Sequence, residues 1–364
     1  MPDNDLGARL REVVAAAAGD GAREQGPFQI IGGGTKSFLG REASGAPLPV
    51  SDHRGILDYQ PKELVITARC GTRLAEIEAA LAARGQMLPF EPPHFDDRVT
   101  DRATLGGCVA TGLSGPRRPY VGSARDAVLG ARLLNGRGEI LRFGGQVVKN
   151  VAGYDVSRLM VGALGTLGIL LEASVKVVPM PAEEITLVRE HTLAEAIESM
   201  NRWAARPLPL SGACFDGERL IVRLSGNASA IRLARERLGG ELLAASDTFW
   251  RDMREQRHGF FAGTAAEPLW RLATPPAAPP LPLAGRWLLE WGGGQRWLRT
   301  DAPTQEIRAA ASALGGHATL FRGGDRASEV FHPLEGKLAE LHARIKHAFD
   351  PHGLFNPGRL YSTL

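Results

Sequence analysis

Ile31-Gly-Gly-Gly-Thr-Lys-Ser37 and, about seventy residues later, Ala103-Thr-Leu-Gly-Gly-Cys-Val-Ala-Thr-Gly-Leu-Ser-Gly115 decide how this 364-residue chain is read. A residue without Cβ lets backbone N–H groups come close to a bulky anion, and successive N–H groups aimed into one concavity form an anion nest. Each stretch stands at the end of a hydrophobic, strand-like run. Two such loops suit a long ligand with phosphates at its middle, such as a dinucleotide; tight turns without a ligand are the competing reading of either loop alone. In the second stretch the hydroxyls of Thr104, Thr111 and Ser114 alternate with Gly106, Gly107, Gly112 and Gly115, a donor pattern suited to a pyrophosphate. A third glycine-rich run, Gly162-Ala-Leu-Gly-Thr-Leu-Gly168, leads into Ile169-Leu-Leu.

Two familiar phosphate loops are excluded by spacing. Gly32-Gly-Gly-Thr-Lys-Ser-Phe-Leu-Gly40 does not set its glycines as G-x-G-x-x-G opening a helix, and Thr35 stands where a Walker loop needs glycine before Lys-Ser.

Working outward, residues 1–180 read as short strands and helices in alternation. Phe28–Ile31 and residues 64–68 are apolar strands, and Thr72 is the expected cap of a helix presenting Leu74, Ile77 and Leu81, stopped by Gly85. Residues 127–134 and 139–143 form a hairpin in which the Asn135-Gly136 pair is expected to supply positive φ. Pro179 and Pro181 mark a boundary. Residues 183–345 then repeat a strand–helix–strand order: strands at 185–188, 212–215, 219–224, 287–291 and 295–299, and helices after Thr192, over 228–238 and over 304–314. That order suits an antiparallel sheet covered by helices on one face. Residues 348–359 read as dense turns, not helix, in a tail that docks back on the body.

Composition narrows the function. Hydrophobic residues make up 44% and charged residues 23%, enough for two cored domains, and a net charge of +3 without a long basic run argues against nucleic acid as partner. The three cysteines, Cys70, Cys108 and Cys214, lack C-x-x-C spacing, so no zinc or iron–sulfur ligand set is expected. The acidic first residues argue against a signal peptide, and no apolar run spans a bilayer.

The strings Gly115-Pro-Arg-Arg-Pro-Tyr-Val-Gly-Ser-Ala-Arg-Asp-Ala-Val-Leu-Gly130 and Arg142-Phe-Gly-Gly-Gln-Val-Val-Lys-Asn-Val-Ala-Gly-Tyr-Asp-Val-Ser-Arg-Leu-Met160 carry a family resemblance. They resemble the FAD-binding fold of vanillyl-alcohol oxidase, p-cresol methylhydroxylase (PCMH) and the D-lactate and glycolate oxidases, and more narrowly the FAD-binding subunits of bacterial glycolate oxidases. The resemblance covers residues 28–181 strongly and Phe349-Asp-Pro-His-Gly-Leu-Phe-Asn-Pro-Gly358 well.

It implies an α+β protein: a two-part PCMH-type FAD-binding domain over 1–182, a ferredoxin-like cap of antiparallel sheet and helices over 183–345, and a C-terminal segment, 346–364, returning to the first domain. It also implies that Gly32, Gly33, Gly34, Thr35, Lys36 and Ser37 hold the FAD pyrophosphate. Thr104, Leu105, Gly106, Gly107, Thr111, Gly112, Ser114 and Gly115 would line pyrophosphate and flavin, and Gly165, Gly168 and Ile169 the adenosine half. Lys149, Asn150 and Tyr154 would lie near the cofactor, or else serve structure, Lys149 by pairing with Asp155.

With no histidine in the first loop, FAD is expected to be non-covalent, with no resident metal. The family's substrate-oxidising members carry a His-x-Gly-x-Gly-Asn-x-His cluster in the cap. Here His191, His258, His317, His332 and His342 are scattered, and Asp252, Arg254, Arg257 and His258 form the densest polar cluster, read as a solvated helix face.

The expectation is therefore a cytoplasmic flavin subunit of a glycolate oxidase, supporting oxidation of glycolate to glyoxylate. A sister FAD-containing catalytic subunit and an iron–sulfur subunit would be its partners, and it would touch the inner face of the membrane only through them. The alternatives are a self-sufficient 2-hydroxy-acid dehydrogenase using Arg257 with His258, and a structural assembly subunit.

Overall fold

A computed structural model of the chain describes residues 6–19, 26–96, 100–145, 155–264 and 267–364. Lys149, Asn150 and Tyr154 fall outside the described residues. The chain forms two compact units: 1–113, 123–179 and 326–364 make the first, and 114–122 with 180–325 the second.

In the first unit Phe28–Ile31 pairs in parallel with Ala46–Pro49. A five-stranded antiparallel sheet runs in the order Ile56–Gln60, Val65–Arg69, Ile169–Lys176, Val128–Leu134, Ile140–Gly144. The helix Leu74–Ala82 carries Leu74, Ile77 and Leu81, each 0% exposed, into a core shared with Ile66, Phe90, Leu105 and Val175. Burying such a side chain is worth about 1.5–3 kcal/mol. Gly85 follows the helix with φ 63°, as expected of a residue free of Cβ strain.

Three local expectations need correction. The Thr72 hydroxyl accepts from Gly55 N–H (2.8 Å), so it secures a turn and leaves Arg73 at the helix N-cap without a side-chain cap. In the hairpin Gly138, with φ 76°, supplies the positive φ, because the Asn135 side chain instead accepts from the N–H groups of Arg137 and Glu139. Residues 348 and 349 close a helix, Gly336–Phe349, and the turns begin only at Asp350.

The C-terminal residues are joined to the start of the first unit through buried polar groups. Lys346 Nζ donates to Thr166 O (2.7 Å), Phe355 O (2.9 Å) and Asp350 Oδ2 (2.7 Å), and Asp350 accepts from the N–H groups of Leu354 and Phe355. Phe355 bridges Phe28, and Asn356 accepts from Ile30 N–H (2.9 Å) while donating to Leu164 O (2.7 Å).

The second unit is an eight-stranded antiparallel sheet ordered Glu241–Leu242, Glu183–Glu190, Arg219–Gly226, Leu210–Phe215, Arg286–Glu290, Gln295–Arg299, Leu269–Ala273, His317–Arg322. Helices Leu193–Ala204 and Ala228–Leu238 bury Ile197, Met200, Trp203, Ile231 and Leu238 against Leu187, Leu220 and Leu224 of the sheet. Thr192 caps the first of them in a full capping box with Glu195. The segment 114–122 belongs here because Arg117 pairs with Glu184 (2.7 Å) and Gly115 O accepts the Trp291 indole N–H (3.1 Å).

Candidate cofactor site

In the first unit the strand Phe28–Ile31 delivers the chain into residues 32–37 at the edge of a groove of about 390 Å³. The opposite wall is the second glycine segment. Leu105–Thr111 is a short helix and not the open loop its glycines suggest, because Thr104 caps it by accepting from Gly107 N–H (3.2 Å) and Leu105, Cys108 and Val109 are buried in the core. Thr111 donates to Gly107 O (2.8 Å), so both threonine hydroxyls hold the helix together. The glycines let the two segments touch: a Cβ at Gly33 would lie 1.7 Å from Arg102 O, and one at Gly32 2.9 Å from Thr104 Oγ1.

The groove has the electrostatics of an anion cradle. The N–H groups of Gly33, Gly34 and Thr35 donate to no described residue, whereas Ser37 N–H turns back to Gly34 O. Lys36, 7% exposed, has its ammonium on His94 O (3.1 Å) and Thr35 Oγ1 (3.3 Å). Arg359 donates to Ser37 O (3.2 Å) and Leu39 O (3.1 Å), and burial holds its guanidinium below its usual range. Three free N–H groups beside two cations fit a pyrophosphate.

Gly32, Gly33, Gly34, Thr35, Lys36, Ser37, Thr104, Gly107 and Thr111 all line this groove. A second hollow of about 80 Å³, sharing Ile30, Gly32, Thr104 and Gly107 with it, is lined also by Gly106, Gly165, Gly168 and Ile169. Leu105, Gly112, Ser114 and Gly115 line neither. Leu105 points into the core, Gly112 ends the short helix in a left-handed conformation (φ 62°), and Ser114 and Gly115 lie in the second unit.

Asn356 and Arg359 also line the groove, two residues for which the sequence reading has no cofactor role. The Phe-Asn-Pro-Gly-Arg run signalled a docking tail; which side chains turn toward the groove was not written in it. Cys108 lies within the second segment but is 1% exposed, and burial pushes its thiol up to about 12, so it stays protonated.

The model described as FAD binding domain matches residues 8–144. Glycolate oxidase subunit GlcE of Escherichia coli (strain K12) is 48% identical over 362 residues, 99% of either chain. The chain belongs to the GlcE family. Glycolate oxidase subunit GlcD of Bacillus subtilis (strain 168) is 30% identical over 226 residues, 61% of the GlcE-family chain and 47% of that protein. Among solved structures, alkyldihydroxyacetonephosphate synthase superposes with a TM-score of 0.63 at 14% identity, over 96% of this chain and 75% of that one, a likeness of fold alone.

Two histidines of the second unit, His258 and His191, are in structural employment. His258 Nδ1 accepts from Phe260 N–H (3.4 Å) and its ring packs on Phe249, while burial lowers its pKa. His191 bonds Ser199 and meets Trp203 edge to face. Asp252 and Arg254 lie on or near the end of the helix Ser246–Arg254, with Arg254 paired to Glu255 (2.7 Å). Among the described residues no group of three or more His, Cys, Asp or Glu is placed to hold a metal, and no helix is long and apolar enough to cross a membrane.

Proposed function

We propose that this chain is the FAD-binding subunit of a glycolate oxidase complex. The carrying observation is the run of free N–H groups over residues 33–35, flanked by Lys36 and Arg359, within a GlcE-family FAD binding domain. In this reading residues 32–37 bind the FAD pyrophosphate, with Thr104, Gly106, Gly107 and Thr111 on the facing wall and Gly165, Gly168 and Ile169 beyond it. Asn356 orients the groove by tying Ile30 to Leu164. When bound, FAD supplies a two-electron acceptor that can pass electrons on singly.

Binding is non-covalent: residues 32–37 hold no histidine, and the protonated, buried Cys108 thiol is a poor nucleophile. The substrate is oxidised on a sister flavoprotein of the GlcD kind, and an iron–sulfur subunit carries the electrons away. Support for that division is the structural use of His258 and His191, which leaves neither poised as a general base. Contact with the inner face of the cell membrane is through these partners.

The chain purified alone should take up one equivalent of FAD, release it on acid precipitation, and reduce no dye when given glycolate. Robust glycolate-dependent turnover by the isolated chain would assign it a complete active site and defeat the subunit reading. Failure to reconstitute with FAD would reduce it to an assembly subunit.

A further inference from the structure

Within the second unit lies a cavity of about 430 Å³ whose walls are cationic and aromatic. Arg118, Arg271, His317, Thr274, Thr319 and Trp291 contribute to it, and no Asp or Glu does. Trp291 is the centre of the arrangement. It holds φ 55°, a left-handed conformation that costs a non-glycine residue on the order of 1–3 kcal/mol, and its indole N–H is fixed on Gly115 O. The guanidinium carbon of Arg118 is 4.2 Å from the centre of the Trp291 ring and that of Arg271 5.1 Å.

Arg271 is aimed by a relay behind it. Its Nε donates to Gln295 Oε1 (2.7 Å), Gln295 donates to Glu290 Oε2 (2.9 Å), and the same oxygen accepts the Trp297 indole N–H (2.8 Å). The Glu290 charge therefore reaches Arg271 through an amide, not as a direct ion pair. The two terminal nitrogens of Arg271 donate to no described residue. Burial and the neighbouring Arg118 charge push the Arg271 guanidinium down to about 10, so it is still a cation at neutral pH. The terminal donors of Arg271 line a cavity without Asp or Glu, and a second guanidinium, Arg118, lies on the same indole, an environment suited to an oxyanion on Arg271.

We propose that this cavity binds an organic carboxylate, its oxygens on the terminal nitrogens of Arg271, Arg118 supplying the second charge, and its carbon body against Trp291. The planar guanidinium fork matches a carboxylate in two parallel hydrogen bonds. The volume is that of a ligand pocket and exceeds what a two-carbon acid fills. Nothing in this assignment depends on where the flavin binds.

A phosphate group would use the same fork, so calorimetric titration of the full chain compares glycolate, malate and inorganic phosphate. Malate is expected to bind one-to-one, more tightly than glycolate, with phosphate weakest. Arg271→Gln should weaken malate binding about ten-fold or more, the loss of a charge-assisted hydrogen bond, while Arg271→Lys falls between. Unfolding temperature and FAD content should stay as in the unaltered chain; if Arg271→Gln does not fold, Arg118→Gln gives the same reading. Absence of saturable carboxylate binding at millimolar concentration overturns the proposal, as does unchanged binding in the folded variants. Phosphate binding as tightly as malate, or more tightly, overturns the carboxylate assignment.

Discussion

Gly33 is the residue on which the proposed cofactor groove depends most directly. Its α-carbon occupies space that any Cβ would contest with the Arg102 carbonyl at 1.7 Å, a backbone atom that cannot swing aside. Gly33→Ala is therefore expected to push residues 32–35 off Arg102 and to lose the bound flavin, read as absorbance near the flavin band per mole of purified chain. Retention of full FAD content by a folded Gly33→Ala protein would separate the first glycine run from the cofactor. At this scale the sequence was informative for backbone and poor for side-chain direction. The glycines at 32 and 33 announce a close approach because only a missing Cβ allows one, whereas Gly34 answers to its positive φ of 74°. Asn356 and Arg359 could not be picked out, since their reach into the groove is set by a bridge between Phe355 and Phe28 hundreds of positions away.

Among elements, the helix Gly336–Phe349 and the turn after it are bound by the buried ion pair of Lys346 with Asp350, whose ammonium also donates to the carbonyls of Thr166 and Phe355 in the first unit. Such a pair is costly to desolvate and is tolerated when hydrogen bonds satisfy both partners. Lys346→Met would leave the Asp350 carboxylate, 0% exposed in its side chain, with backbone donors alone. A loss of about 3–5 kcal/mol is expected, measured by denaturant unfolding; a change below about 1 kcal/mol, the range of exposed pairs, would show that the pair is not what secures the tail.

Elements with strong local signals were legible. Thr192 marks the start of its helix, where the structure adds Glu195 to complete the capping box, and the helix read over 228–238 is the one observed. The helix Leu105–Thr111 was not legible, because Gly106 and Gly107 lower helix propensity and only burial of Leu105 and Val109 reverses that. The strands Leu269–Ala273 and His317–Arg322 escaped notice since each earns its place from neighbours in the sheet, not from its own pattern.

On the scale of the whole molecule, the first unit is assembled from three separated stretches of chain, and in sequence the two stretches of the second unit, 114–122 and 180–325, fall between them. Alternation of strands and helices, then a repeated strand–helix–strand order, made the change of texture near residue 180 readable. That residues 114–122 join the second unit was not, because the contacts responsible are the long-range pairs of Arg117 with Glu184 and Gly115 with Trp291. Removing residues 350–364 is expected to abolish FAD binding while leaving the second unit's antiparallel strands in place, because Asn356 and Arg359 leave the groove and Ile30 loses its partner. Flavin content and circular dichroism of the shortened chain test this; unimpaired FAD uptake would count against any part for the tail in the cradle.

The hydrogen bond from Ile30 to Asn356 spans 326 positions, and that distance has a temporal meaning. A ribosome adding about 5–20 residues per second releases Ile30 between roughly fifteen seconds and about a minute before Asn356 exists to receive it. Through that interval the nascent protein carries its glycine cradle with one wall missing. If this groove is the flavin site, as proposed, its loading is expected to follow the synthesis of residue 356, and FAD retained by ribosome-stalled chains ending before that residue would contradict it.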